Sequence, residues 1–217
     1  MTGILEIDSP SSLSSIWVQG EDIRKLRASE RARLITYVGS ETRVEFPVSA
    51  VDFVAMGRFC HQGFRFFPRK SKADLLAIKT AMERCRCWEF KDRWTGELSD
   101  GEKQRVALAR ALAQGSRILL LDEALSKMDL DHQAQIGKLL QSLCQEGYLI
   151  LLVAHDLNLA TEWADQCMVL KEGEILTSGP IAQVLNSAML EKLYPQAALV
   201  VGKNPVSGTP KVFFSWG

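Results

Sequence analysis

An apolar run, Ile118-Leu119-Leu120-Leu121, leads straight into two adjacent carboxylates, Asp122 and Glu123. Open α/β sheets bind ligands beyond the carboxyl ends of their strands, so acids at such an end face a site. Adjacent acids can divide labour there. One holds Mg2+, and the other polarises a water for attack on a phosphate. Upstream lies Leu98-Ser99-Asp100-Gly101-Glu102 at the head of a helical pattern. Ser99 suits an N-cap, and Gly101 lets backbone approach a ligand closely. A helix N-terminus with a hydroxyl and free N–H groups attracts anions. Downstream come Ser126-Lys127-Met128-Asp129 and then Val153-Ala154-His155-Asp156, in which His155 follows another apolar run. Each segment alone has an ordinary reading: a solvated acidic turn, a plain cap, a structural histidine. Their order and spacing carry the functional reading.

The surrounding pattern supplies the elements that must position these groups. Residues 34–38 are β-branched and apolar and stop at Gly39, which predicts a buried strand. Residues 101–114 and 130–145 carry helical periodicity, and 157–164 a shorter helix. Residues 117–121, 148–153 and 167–170 read as strands. The 148–153 run is nearly all apolar and is expected to be buried on both faces. Lys171-Glu172-Gly173-Glu174 predicts a hairpin turn. Strand–helix alternation of this kind implies an α/β core with right-handed crossovers. Residues 43–95 differ in texture. They hold two helical patterns and no strand, which predicts a helical insertion. The charged stretch 21–33 predicts an exposed helix, 4–7 a short strand and 9–15 a loop. The tail carries short helices near Val184-Leu185 and Leu190, then two β-prone runs. Phe213, Phe214 and Trp216 read as an interface or as core, and with no pattern core is the default expectation.

The 217 residues carry 26 Lys+Arg and 26 Asp+Glu, for zero net charge, with 47% hydrophobic content. A coat for nucleic acid would be basic, so this balance argues against one. No apolar run reaches the length of a membrane-spanning helix, and no secretory signal pattern opens the chain. The five cysteines are odd in number and scattered, which suits a reducing cytosol better than a disulfide framework. Residues 58–72 interleave arginines and lysines with phenylalanines and no acid, a texture that suits single-stranded nucleic acid or a docking surface.

The combination Leu-Ser-x-Gly-Glu, apolar-Asp-Glu, Ser-x-x-Asp and apolar-His-Asp closely resembles the ATP-binding subunit of ABC transporters. The resemblance covers nearly the whole chain. It implies a P-loop NTPase-like (RecA-like) α/β fold, a mostly parallel sheet core with a helical subdomain inserted. The implied division is 1–42 and 96–194 for the nucleotide-binding core, 43–95 for the helical subdomain and 195–217 for a C-terminal extension. Residues 98–102 would be the signature motif, with Asp100 where many members carry Gly. Asp122 would hold Mg2+, Glu123 would be the catalytic carboxylate, and His155 the switch histidine. Ser99, Asp100, Gly101, Glu102 and Asp129 would contact nucleotide across a dimer with a second ATP-binding subunit. The helical subdomain would dock a transmembrane permease, which the resemblance favours over nucleic acid for the basic–aromatic stretch. No residue would touch cargo. The implied place is the cytoplasmic face of the membrane. Phe46-Pro47, residues 54–58, residues 155–160 and Gly179-Pro180 further resemble importers of iron chelates, haem or cobalamin.

Two departures stand out. The chain holds no Gly-x-x-x-x-Gly-Lys-Ser/Thr, and Gly96-Glu97-Leu98-Ser99-Asp100-Gly101-Glu102 has Glu102 where the lysine belongs. That loop supplies the N–H nest, the lysine and the hydroxyl that hold the phosphates and Mg2+. The expectation is a chain that begins after the loop, without the first strands, and that does not hydrolyse ATP alone. It would be either a truncated reading or a degenerate, non-catalytic partner subunit. The second departure is Ser40, where the family usually has a glutamine that reaches Mg2+ and the attacking water.

Overall fold

The computed structural model describes residues 16–39, 47–62, 71–123 and 129–215. It divides into two compact units, Met1–Val153 and Ala154–Gly217. The expected strand at 4–7 and loop at 9–15 lie outside the described residues.

The first unit opens with a hairpin, β1 (Trp17–Val18) and β2 (Glu21–Asp22). Its two-residue turn is left-handed throughout, with φ of 52° at Gln19 and 83° at Gly20. Such a turn matches the twist of paired strands. The helix expected over 21–33 therefore shortens to α1 (Ala28–Leu34), with residues 21–22 drawn into the hairpin. Next come β3 (Ile35–Gly39), α2 (Ala50–Ala55) and a 3₁₀ turn over Met56–His61. They are followed by α3 (Lys72–Arg84), α4 (Asp100–Gln114), β4 (Ile118–Asp122), α5 (Leu130–Gln145) and β5 (Leu149–Val153).

The three long strands form a parallel sheet in the order β3-β4-β5, with β4 in the middle. Thr36, Val38, Leu119 and Leu121 share one face and are buried, Leu119 to 0% exposure. Helix α4 is buried on several sides: Val106, Ala107, Leu108 and Ala109 are all inaccessible. It packs against α2 and α3 as well as β3. Small residues let these elements close up. A Cβ on Gly57 would lie 2.4 Å from the Arg110 carbonyl oxygen, so only glycine fits there.

The other face of the sheet differs from expectation. Strand β5 is not buried on both sides: Leu149 is 62% exposed and Leu151 59%. Among the described residues β5 pairs only with β4, so it is an edge strand covered on one face. An apolar strand reads the same whether or not a neighbour covers it.

The second unit comprises α6 (Leu157–Trp163), the antiparallel pair β6 (Gln166–Lys171) and β7 (Glu174–Pro180), and α7 (Ile181–Val184). It ends with α8 (Ser187–Leu193) and the hairpin β8 (Leu199–Lys203) with β9 (Pro210–Phe214). The predicted turn at Glu172-Gly173 is present, with φ of 53° and 83°. Val169, Val184, Leu185, Met189 and Leu190 form the core, lined by Leu199, Val201 and Val212. Strand alternation turns Val212 inward and Phe213 outward, and Phe214, the last residue of β9, is exposed as well, against expectation; Trp216 lies outside the described residues. Glu162 of α6 gathers Asn204, Thr209 and Lys211 and thereby ties α6 to the hairpin.

Between α3 and α4 the first unit buries an ion pair. Arg58 Nε donates to Asp74 Oδ1 at 2.8 Å, and Arg58 Nη1 donates to the Ala113 carbonyl at 2.8 Å. Asp74 also closes a capping box with Ser71 at the head of α3. One of the basic residues in the 58–72 stretch is thus spent inside the fold. The Arg58 guanidinium, with help from Ser71, holds the Asp74 carboxyl at about 2, below its usual 3.8. A carboxyl depressed in the folded state stabilises above its unfolded pKa and loses that contribution as pH falls through the folded value. Urea unfolding should therefore show stability falling between pH 3.8 and about 2. Arg58→Ala should cost about 3 kcal/mol near neutrality, because it strands a buried carboxylate. A variant that matches the parent in stability would remove this pair from the account.

Candidate functional site

Strand β4 delivers Asp122 to the carboxyl edge of the sheet, opposite Gly39 of β3 and Val153 of β5. The ladder on both sides fixes its height. The chain then turns sharply. Glu123 has φ of +52°, and its N–H donates to the Val153 carbonyl at 3.2 Å. A left-handed conformation at a residue with a Cβ costs about 1 kcal/mol and is commonest where function needs it. Both carboxylates are half-buried. The Tyr37 hydroxyl donates to Asp122 Oδ2 at 2.9 Å. Sequence reasoning missed Tyr37. The available signal was a tyrosine two residues before a glycine on a strand paired with the acidic one.

A second group sits at the head of α4. Ser99 is the N-cap, and its hydroxyl accepts from the Glu102 N–H. The Glu102 carboxylate returns the bond, accepting from the Ser99 N–H at 2.7 Å. It also accepts from Arg93 Nη1 at 2.9 Å, while Arg93 Nη2 donates to the Glu97 carbonyl. Burial pushes the Glu102 carboxyl up, but the bonds from Ser99 and Arg93 outweigh it and leave the carboxyl lowered. Asp100 is exposed and faces Lys103 at 3.9 Å, and Gly101 is half-buried in the first turn. Arg93 was not foreseen, since nothing in its spacing marks it.

Asp129 caps α5. Its carboxylate accepts from the His132 N–H at 2.9 Å and pairs with His132 Nδ1 at 2.8 Å. Those bonds from His132, the backbone one first, lower its pKa. His155 belongs to the second unit. It is exposed and directly precedes Asp156, the N-cap of α6. Ser40 and Ser126 lie outside the described residues.

The donor set can be tested against Mg2+. Among the described residues no cluster of three or more His, Cys, Asp or Glu side chains surrounds a common point. Mg2+ does not require one, because it keeps several waters and takes one or two carboxylates plus substrate phosphates. Asp122 at a strand end, with Oδ2 held by Tyr37, fits that role.

A central parallel sheet, an acid pair at the end of its middle strand and a serine-capped helix define an α/β cassette of the P-loop NTPase fold. Comparison with known proteins gives the family. Residues 4–126 match the ABC transporter family model. The chain is 33% identical over 198 residues to the ferric enterobactin transport ATP-binding protein FepC of Escherichia coli, covering 91% of this chain and 72% of that one. It is 34% identical over 205 residues to the hemin import ATP-binding protein HmuV of Rhodococcus jostii, covering 94% and 68%. Among solved structures, cbiO1 of Clostridium perfringens, part of the ABC transporter complex cbiONQ, superposes with a TM-score of 0.69 at 25% identity, covering 90% of this chain and 76% of that one. The chain belongs to the ABC transporter family.

The strain at Glu123 has a measurable signature. Comparing Glu123→Gly with Glu123→Ala holds the side-chain loss constant. The glycine variant should be more stable by about 1 kcal/mol, since only glycine adopts positive φ without penalty. Equal stability of the two in chemical denaturation would show that the turn relaxes and stores no strain.

Proposed function

We propose that this chain is the ATP-binding subunit of an importer for an iron chelate, haem or a cobalamin-like substrate. The observation that carries the reading is the Asp122–Glu123 pair at the end of β4, held by β3 and β5, with Glu123 in a strained turn. The relatives named for ferric enterobactin transport and hemin import support the cargo class. Asp122 takes the cation carboxylate role, and Glu123 the orientation and polarisation of the attacking water. His155 contacts the terminal phosphate. Ser99, Gly101 and the head of α4 face the phosphate bound by a second ATP-binding subunit, with Asp100, Glu102 and Asp129 around them; Ser40 takes the place of the family's cation-reaching glutamine and is too short to reach equivalently. When bound with nucleotide, Mg2+ neutralises charge on the transferring phosphoryl group. The helical stretch between β3 and α4 docks a transmembrane permease, which places the chain at the cytoplasmic membrane face. No helix among the described residues is long and apolar enough to cross a membrane.

The 217 residues hold no phosphate loop, so by themselves they lack the N–H nest and lysine that secure ATP. That favours a chain with no turnover on its own. The same fact supports a second reading, a partner subunit that lends only residues 98–102 to the site of an intact cassette. Steady-state phosphate release by the purified chain decides the first point. The expected result is no Mg2+-dependent hydrolysis above the level of Glu123→Gln. Robust hydrolysis abolished by that substitution would overturn the inactivity and show that ATP is held by other means.

A further inference from the structure

Tyr37 and Asp122 belong to different strands and are not opposite each other. The register sets Gly39 against Asp122 and Tyr37 against Leu120. All four share one face, since strand side chains alternate with period two. Tyr37 must therefore reach diagonally along β3 to touch Asp122. Gly39 makes that reach feasible. A Cβ on Gly39 would stand 2.9 Å from the Tyr37 hydroxyl, 3.1 Å from Cε1 and 3.3 Å from Cζ. The phenol ring lies over the bare backbone of Gly39 and donates to Asp122 Oδ2 at 2.9 Å.

We propose that Tyr37, seated over Gly39, is a positioning residue for Asp122: it pins Oδ2 and presents Oδ1 to a divalent cation. This rests on the reading of Asp122 as the cation carboxylate. The chemistry is that of an outer-shell partner. A ligating carboxylate that is free to rotate loses entropy on binding, whereas one already hydrogen-bonded is oriented in advance. A phenol suits the task because it remains a neutral donor. Tyr37 is also 39% exposed, so burial alone gives it little reason to lie over a glycine.

The competing explanation is that the bond merely ties β3 to β4. A structural tie would change thermal stability and leave cation affinity alone. The experiment is a Mn2+ titration of the whole chain, without nucleotide. It follows paramagnetic broadening of the Asp122 and Gly39 amide resonances, which detects weak binding. Five proteins are compared: the parent, Tyr37→Phe, Gly39→Ala, the Tyr37→Phe/Gly39→Ala double variant and Asp122→Asn. The parent should show saturable broadening that Asp122→Asn removes. Tyr37→Phe should weaken Mn2+ about tenfold, the lower end of the effect of removing an outer-shell partner. Gly39→Ala should weaken it comparably although the tyrosine is intact, because the new methyl group displaces the ring. The double variant should be no worse than either single one, as expected for residues acting through one contact.

The outcomes separate the two claims. Broadening in the parent that Asp122→Asn removes but Tyr37→Phe leaves unchanged overturns the positioning role and keeps the cation reading. Absence of specific broadening in the parent, or broadening that Asp122→Asn leaves unchanged, overturns both.

Discussion

The chemistry of this chain hangs on the double pairing of β4. Its backbone bonds to β3 on one side and β5 on the other, so no residue of Ile118–Asp122 can slide without breaking both ladders. Leu119 and Leu121 lock the register, because a slip of one residue would turn both out of the core. Each leucine is worth roughly 2 kcal/mol of burial, and the two together outweigh the single hydrogen bond from Tyr37 to Asp122. Asp122 is therefore placed by the hydrophobic core beneath it. The core tolerates a carboxylate there because the strand ends at that point and solvent begins.

The same economy of placement governs the head of α4, with a different result. A helix N-terminus carries unpaired N–H groups and partial positive charge. Here Glu102 folds back onto the Ser99 N–H, and Arg93 braces Glu102. Asp100 adds a further negative charge in the first turn. The capping box stabilises the helix but lowers its pull on an anion. A phosphate arriving there would have to compete with the protein's own carboxylate.

Much of this was legible in the residues. The α4 cap followed from Ser99 at the head of a helical pattern, and the β6–β7 turn followed from Glu172-Gly173. The strand–acid junction followed from four apolar residues meeting two acids. What was not legible is non-local. The exposure of Leu149 and Leu151 depends on which elements cover a face, and an apolar strand carries the same pattern either way. Tyr37 meets Asp122, 85 residues further along the chain, only because β3 and β4 pair in a particular register. The hairpin at Trp17–Asp22 was hidden by charge: Glu21 and Asp22 look helical until the left-handed Gln19-Gly20 turn is seen.

Charge balance sets the remaining constraint. Asp122 and Glu123 are adjacent acids at the end of β4, Asp100 and Glu102 form a separate acidic group at the head of α4, and the phosphates of ATP are acidic too. Like charges a few ångströms apart repel by about 1 kcal/mol even in water, and by more at a half-buried strand end. The basic groups nearest the α4 cluster, Arg93 and Lys103, already face Glu102 and Asp100. Nucleotide cannot be held by these side chains without a compensating cation and additional N–H donors. A divalent ion can answer the first need at Asp122, where Tyr37 keeps one oxygen occupied. The second need is for backbone geometry rather than charge. On the proposed reading the acid pair would supply the reactive half of such a site, and its binding half would call for other donors.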